Sequence, residues 1–267
     1  MTPLKLGMVG GGQGAFIGGV HRFAARLDGK WQLVAGALSS DPERAAASAA
    51  DLGIAPDRTY ASYADMATAE AARPDGIDAV AIVTPNHMHA GPTIAFLNAG
   101  ITVICDKPLA ATPEDAEAIR AAVEGAKAKF ILTHNYTGYP LMRQAREMIA
   151  HGDLGRLRVV QAEYAQDWLT EDTQNKQADW RTDPKRSGAG AIGDIGTHAF
   201  NLVSFVSGLE TEALSADLHS FVDGRQVDDN AHILLRLEGG ARGMIWASQV
   251  AVGRENSLTL RIYGEKG

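Results

Sequence analysis

The sequence predicts an α/β protein with a doubly wound parallel sheet at its N-terminus, followed by an α+β domain on a largely antiparallel open sheet. Two observations predict the first part: short apolar runs alternate with helical stretches, and a glycine-rich turn follows the first run. After about residue 135 strand-like segments dominate, which predicts the second part. We therefore expect a cofactor domain at residues 1–134 and a substrate and oligomerisation domain at residues 135–267.

Strand and helix alternate throughout the first half. Asp41 is placed to cap the second helix, and Pro42 suits its first turn. Parallel strands need helical crossovers between them, so this alternation indicates one parallel sheet. We expect strands at 4–9, 32–38, 79–83, 102–105 and 130–133, and helices at 15–27, 42–52, 91–99 and 113–126.

The second half reads as longer strands with alternating polar and apolar residues. Glu238-Gly239-Gly240 has the composition of a hairpin turn between two of them. The sequence stops directly after a strand, so we expect a shortened or C-terminally truncated chain. The predicted strands lie at 157–166, 231–237, 242–250 and 257–263.

Composition narrows the class of protein. Of 267 residues, 45% are hydrophobic and 21% charged, which is typical of globular domains. The net charge of -7 argues against a nucleic-acid partner, which requires clustered basic residues. Cys105 is the single cysteine, so no disulfide can form within the chain, which fits a reducing compartment. No apolar run approaches the roughly 20 residues that span a bilayer. We expect a cytoplasmic protein without membrane insertion or bound metal.

The glycine-rich turn lies between the first strand and the first helix. A dinucleotide pyrophosphate binds at such a turn, where backbone N–H groups and the helix dipole face the phosphates. The alternative is a turn that only packs the helix on the sheet. The residues that we expect to hold the cofactor here are Gly10, Gly12, Gln13, Gly14, Ala15, Phe16 and Ile17.

The end of the second strand leaves the choice between NAD and NADP open. An acidic residue that would hold the ribose of NAD is replaced by Ser39 and Ser40. Arg44, one helical turn further on, is placed to reach a 2′-phosphate, and an exposed helix residue is the alternative. Asp41 is better explained as the helix cap than as a ribose ligand.

Two segments carry candidate catalytic side chains. Asp106-Lys107-Pro108 follows the fourth strand, at the end where open α/β sheets bind ligands. His198 follows Asp194 by four residues, so on an α-helix the two share a face. An Asp beside a His can hold the imidazole in one tautomer and raise its basicity, as general acid–base catalysis requires. A simple exposed pair and a structural hydrogen bond are the respective alternatives.

In combination, these motifs resemble the Gfo/Idh/MocA family, named after glucose-fructose oxidoreductase, inositol dehydrogenase and rhizopine catabolism. The resemblance rests on the glycine turn, Thr84-Pro85-Asn86 with His89, Asp106-Lys107-Pro108, and Gly193-Asp194 with His198. It implies that Lys107, Asp194 and His198 are catalytic. It also implies nicotinamide contacts from Thr84, Pro85, Asn86, His89, Asp106 and Lys107, and a cis peptide before Pro108. Asp106 stands where the family usually has Glu.

The resemblance implies oxidation of a secondary alcohol of a sugar, cyclitol or related polyol, or the reverse reduction, with NAD or NADP. Lys107 and His198 both remain candidates for accepting the proton. It further implies a homodimer or homotetramer that pairs through the sheet domain. A non-catalytic NAD(P)-binding sensor and a glycoside-cleaving enzyme that uses tightly bound NAD transiently are the alternatives.

Other residues have weaker signals. By the resemblance, Asn135 lies against the cofactor and Tyr136 against the substrate. Trp180 and Arg181 suit a sugar edge, since an aromatic face packs on C–H groups and a guanidinium donates to hydroxyls, with a surface loop as the alternative. His87-Met88-His89 lacks a matching third ligand, so no metal is expected there. His21 is expected to pack the first helix.

Overall fold

Strand and helix alternate through the first of two units, which ends at Thr133. The structure, a computed structural model, describes residues 2–173 and 175–267. The strands of the first unit are β1 (Leu4–Gly10), β2 (Trp31–Ala37), β3 (Ala79–Val83), β4 (Thr102–Cys105) and β5 (Phe130–Leu132). Its helices are α1 (Phe16–Arg26), α2 (Pro42–Asp51), α3 (Tyr63–Ala72), α4 (Ala90–Asn98) and α5 (Pro113–Gly125).

The five strands form one parallel sheet in the order β2-β1-β3-β4-β5. The order reverses direction between β1 and β3, and ligands bind outside the carboxyl ends of strands at such a switch point. The glycine turn follows β1 at this point. The parallel, doubly wound sheet predicted from the sequence is therefore confirmed.

The core of the first unit lies on both faces of β3, whose five residues are all buried. Phe96 and Met66 are fully buried on one side, and Met8 lies in a second cluster. Helix α3 was not predicted, although the Ser62 side chain accepts a hydrogen bond from the Asp65 N–H and caps it. Its alanine-rich sequence shows little difference between its faces, so periodicity gave no signal.

The second unit begins at His134. Its helices are α6 (Pro140–Ala150), α7 (Lys176–Arg181), α8 (Pro184–Ser187) and α9 (Thr197–Ser207), and a π-helical turn at Ile192–Gly196 runs directly into α9. Its strands are β6 (Leu157–Ala165), β7 (Thr211–His219), β8 (Asn230–Leu237), β9 (Arg242–Ser248) and β10 (Ser257–Gly264).

These five strands form a sheet in the order β10-β6-β9-β8-β7. Three neighbouring pairs are antiparallel, as predicted, and β6 pairs with β9 in parallel, so the sheet is mixed. Strand β7 and helix α6 were not predicted. Eight of the nine residues of β7 are exposed, so its sequence lacks the alternation that a half-buried strand shows.

Helix α9 covers one face of this sheet. Ala199 and Val203 of the helix pack against Val160 of β6 and Ile245 of β9, and all four are buried. Because α9 is held along its length by this core, the π-helical turn before it is held in place on the sheet. No helix in the described ranges is long and apolar enough to cross a bilayer.

Candidate active site

Glycines bring three backbone segments together behind β1. Gly10 and Gly11 have φ of +79° and +73°, a conformation that other L-residues rarely adopt. A Cβ on Gly12 would lie 2.8 Å from the carbonyl oxygen of Leu38, and one on Gly18 would lie 2.5 Å from the Cα of Gly11. The backbone of the turn therefore packs directly against the backbone at the end of β2 and of helix α1, with no room for a side chain between them.

The N-terminus of α1 fits an anionic ligand. No side chain caps it at Ala15, and its first turn holds no acidic residue. Helices α2, α3 and α5 begin with caps from Asp41, Ser62 and Thr112, whereas α4 also lacks a side-chain cap. The first N–H groups of a helix lack intrahelical acceptors and carry the positive end of its dipole, so a pyrophosphate suits this turn.

Neighbouring side chains brace the glycine turn. Arg22 Nη1 donates to the carbonyl of Gly11 at 2.7 Å, and burial lowers the pKa of this guanidinium. The backbone N–H of Gln13 donates to Ser48 Oγ at 3.0 Å, and its side chain donates to Asp51 at 2.7 Å. Both the backbone N–H and the side chain of Gln13 are thus tied to α2.

The only carboxylate directly after β2 is that of Asp41, which caps helix α2. Asp41 accepts a hydrogen bond from the Arg44 N–H at 2.8 Å, which confirms the predicted cap. Ser39 Oγ accepts from the Asp41 N–H at 3.1 Å, while Ser40 and the Arg44 side chain are exposed. Exposed Arg44 remains available to a phosphate, and the choice between NAD and NADP stays a prediction.

Asp106 is partly buried at the end of β4. Its Oδ1 accepts from Thr133 Oγ1 at 2.8 Å and lies 3.7 Å from Nε2 of His21. Burial by itself would raise the pKa of this carboxyl, but the nearby imidazole of His21 and the hydrogen bond from Thr133 outweigh it and lower the pKa. Asp106 is therefore an ionised anchor for the residue that follows it, Lys107. Neither partner was predicted, because both lie far from Asp106 in the sequence.

His89 ties the segment after β3 to the segment after β4. Its Nδ1 lies 2.8 Å from the carbonyl oxygen of Pro108, and its Nε2 lies 2.9 Å from that of Thr84. The side chain is fully buried, and burial lowers the pKa of the imidazole. The peptide between Lys107 and Pro108 is cis, as the resemblance implied. His89 thus contacts the backbone of both motifs that were expected to meet nicotinamide.

A π-helical turn that contains Asp194 precedes the regular helix that carries His198. Asp194 belongs to the π-helical turn, and His198, 5% exposed, lies in the first turn of α9. The wider turn breaks the α-helical spacing from which a shared face was predicted. Single π-helical turns within helices are frequent at functional sites.

The carboxylate of Asp194 is oriented by two donors. Gln249 Nε2 donates to its Oδ2 at 2.9 Å, and Arg181 Nε donates to the same oxygen at 3.3 Å. The guanidinium of Arg181 lies 4.2 Å from the ring centre of Trp180 and 5.8 Å from that of Trp168. The structure therefore groups the predicted Trp180, Arg181 and Asp194. It adds Gln249 and Trp168, which carried no motif.

Aromatic side chains surround the imidazole of His198. Ring centres of Tyr136, His134 and Tyr164 lie 4.9, 5.6 and 6.0 Å from it. Tyr164 donates to Asn256 Oδ1 at 2.8 Å, so the 2.6 Å bond between the tyrosine hydroxyls runs from Tyr136 to Tyr164. Burial raises the pKa of Tyr164, which keeps its hydroxyl neutral. Tyr136 thus borders His198, and Asn135 is exposed on a short 3₁₀ turn; the substrate and cofactor contacts of the two stay predictions.

Comparison with known proteins identifies both units. Residues 4–147 match an oxidoreductase family with an NAD-binding Rossmann fold, and residues 142–267 match the GFO/IDH/MocA C-terminal domain. An oxidoreductase from Sinorhizobium meliloti is 56% identical with a TM-score of 0.91, over 99% of this chain and 70% of that chain.

Two further relatives carry more specific descriptions. An inositol dehydrogenase homolog from Azotobacter vinelandii, solved with NADH and myo-inositol, is 38% identical with a TM-score of 0.91, over 99% of this chain and 69% of that chain. Levoglucosan dehydrogenase from Pseudarthrobacter phenanthrenivorans is 31% identical over 298 residues, covering 100% of this chain and 73% of that protein. The chain belongs to the Gfo/Idh/MocA family of NAD(P)-binding oxidoreductases of the sugar and polyol dehydrogenase type.

Proposed function

We propose that the chain transfers hydride between a nicotinamide cofactor and a secondary alcohol or ketone of a sugar, cyclitol or related polyol. This proposal rests on one observation: Arg181 and Gln249 orient the carboxylate of Asp194, which lies in the helical segment that leads to buried His198. The names of the relatives, inositol dehydrogenase homolog and levoglucosan dehydrogenase, support a cyclic polyhydroxylated substrate.

The first unit would hold the cofactor. Bound nicotinamide supplies hydride transfer at its ring carbon. The turn that carries Gly10, Gly12, Gln13, Gly14, Ala15, Phe16 and Ile17 would hold the pyrophosphate at the N-terminus of α1. Ser39, Ser40 and Arg44 would meet the adenosine ribose or its 2′-phosphate. The segment with Thr84, Pro85, Asn86 and His89 would border the nicotinamide, together with Asp106 and Asn135.

Three side chains would accept the substrate proton, stabilise the charge on the substrate oxygen and orient the substrate. His198 accepts the hydroxyl proton during oxidation, and the surrounding tyrosine and histidine rings fix its imidazole. By the family resemblance, Lys107 would donate a hydrogen bond to the reacting oxygen of the substrate and stabilise the negative charge that develops there. Asp194 orients the substrate through a neighbouring hydroxyl, and Trp180, Arg181 and Tyr136 line the substrate.

Replacement of Lys107 or His198 by alanine tests this assignment. Each variant is expected to lower kcat about 10²- to 10⁴-fold, the usual contribution of a positioned acid or base. NADH affinity is expected to be unchanged in His198→Ala, because His198 is not among the expected cofactor contacts. The assay is NAD(P)H absorbance with a panel that includes myo-inositol, levoglucosan and D-xylose. Matched controls are Lys127→Ala and His151→Ala, which remove exposed side chains of the same types.

Near-normal turnover in either catalytic variant would overturn the assigned roles. Saturable NADH binding by wild-type protein without turnover of any polyol would instead favour a sensor. Titration with NADH and with NADPH, followed by tryptophan fluorescence, decides the cofactor. A preference for NADPH that Arg44→Ala abolishes would support the 2′-phosphate contact at Arg44.

We also propose that copies of the chain pair through the outer face of the second sheet as a homodimer or homotetramer. Leu234 and Tyr263 are 63% and 49% exposed. Leu234 pairs with Met244, which places both side chains on the face opposite the buried Ile245. Sedimentation velocity is expected to show a dimer or larger species, and Leu234→Glu is expected to dissociate it. A wild-type monomer at micromolar concentration would refute the pairing.

A further inference from the structure

One distant residue holds the backbone just before Asp194. The N–H of Gly190 donates to Asp228 Oδ1 at 2.9 Å, and that of Ile192 donates to Asp228 Oδ2 at 2.7 Å. The N–H of Ala191 donates to the main-chain carbonyl of Asp228 at 2.8 Å. Three consecutive N–H groups at the start of the helical segment are therefore satisfied by a single aspartate.

This arrangement replaces a local helix cap. The first N–H groups of a helical segment lack acceptors within it, and a carboxylate beside them also complements the helix dipole. Ala191, which precedes the π-helical turn, provides no side-chain cap. Asp228 provides one from 38 residues further along the chain. A methyl group on Gly190 would overlap the carbonyl oxygen of Asp228, so glycine is required for this approach.

The neighbouring residue links the same loop to the carboxylate of Asp194. Asp229 is fully buried, and its main-chain carbonyl accepts from the N–H of Gln249 at 2.8 Å. The side chain of Gln249 is the one that donates to Asp194. The carboxylate of Asp229 holds its own loop through the N–H of Phe221 and the guanidinium of Arg225. The dipeptide thus fixes both the backbone under Asp194 and the donor on its carboxylate.

We propose that Asp228 is a positioning residue that fixes the segment carrying Asp194 and His198. It acts through the backbone of residues 190–192. Its catalytic consequence rests on the function proposed above, whereas the capping itself does not. A segment displaced by 1 Å at a reaction centre costs on the order of 100-fold in rate.

The test compares Asp228→Ala, Asp228→Asn and Gly190→Ala with the matched control Asp223→Ala, an exposed carboxylate of the same loop. Hydrogen–deuterium exchange of peptides that span residues 190–198 is measured on the full chain, with NADH affinity, kcat and KM. Asp228→Ala is expected to speed exchange of this segment at least about tenfold and to lower kcat about 10- to 100-fold, with NADH affinity unchanged. Asp228→Asn keeps one acceptor oxygen, so its effects are expected to be intermediate.

Each outcome decides a separate point. Wild-type exchange in Asp228→Ala would overturn the capping, and faster exchange with full kcat would overturn the positioning role. Loss of NADH binding in parallel with kcat would also overturn it, because a general loss of structure would then explain the result. If wild-type protein turns over no polyol, the proposed function fails, and the exchange data still decide whether Asp228 fixes the segment. If Asp228→Ala does not fold, Asp228→Asn decides the same points.

Discussion

Two adjacent glycines of α1 are expected to respond oppositely to alanine. In Gly18→Ala the new Cβ lies 2.5 Å from the Cα of Gly11, whereas carbon atoms in contact are about 3.5–4.0 Å apart. The glycine turn must therefore move by about 1 Å. Its N–H groups would then lie too far from a phosphate that they had bound at about 2.9 Å. Losing one hydrogen bond to a charged group costs about 1.5–3 kcal/mol, so the Kd for NADH should rise roughly 10- to 100-fold.

Gly19→Ala provides the control in the same helical turn. The nearest atom to its new Cβ is the terminal nitrogen of Arg22, at 3.9 Å. Alanine within a helix is favoured over glycine by about 0.5–1 kcal/mol, so this variant should unfold at a higher temperature and bind NADH as the wild type does. Fluorescence titration and thermal unfolding measure both effects. Wild-type affinity in Gly18→Ala, or equal weakening in both variants, would refute the close-packing argument.

Three further perturbations test the two units. Glu70→Gln removes the buried counter-charge of Arg58 and is expected to lower the free energy of unfolding by about 3–5 kcal/mol in urea titrations. The pKa of His89 is lowered by burial, so below about pH 6.5 the unfolded chain binds a proton that the folded chain does not. Stability should fall as the pH drops through this range, less steeply in His89→Gln. Gln249→Leu removes a donor to Asp194 and should lower kcat/KM about tenfold at unchanged NADH affinity.

Each of these changes has a matched comparison. Glu117→Gln breaks an exposed pair with Arg120 and should leave the free energy of unfolding almost unchanged. A loss equal to that of Glu70→Gln would contradict the role assigned to burial. Parallel pH dependences in wild type and His89→Gln would show that other groups cause the acid effect. Gln226→Leu, at an exposed position, should keep full kcat/KM, and an equal loss there would remove the specific role of Gln249.

Local sequence signals predicted the parts of the fold that local physics determines. The glycine turn, the Asp41 cap and the five parallel strands follow from backbone conformation, capping and apolar runs, each contained in a few residues. Strand β7 escaped prediction because its faces are equally exposed. The parallel pairing of β6 with β9 escaped because pairing between distant strands leaves no mark in either sequence.

In the candidate site, too, local motifs predicted some residues, whereas their partners from distant parts of the sequence were missed. Motifs predicted Lys107, Asp194 and His198, and the family comparison confirms the resemblance from which their roles were inferred. Their roles themselves stay predictions. The side chains that orient them carry no motif, because a partner such as Thr133 for Asp106 or Gln249 for Asp194 becomes a neighbour only in the folded chain. The π-helical turn was also missed, since its spacing differs from the regular helix assumed.

The parallel pairing of β6 with β9 bears on how the chain folds during synthesis. In the first unit each strand joins a sheet already started by β1, and its last strand ends at Leu132. In the second unit β9 lies between β6 and β8, so the sheet stays divided until Arg242 to Ser248 have been made. Closing so long a loop has an entropic cost that short-range contacts avoid. On the ribosome, the first unit should therefore reach its native state while the second still exposes apolar strands. Chaperones would thus be needed during the synthesis of the second unit.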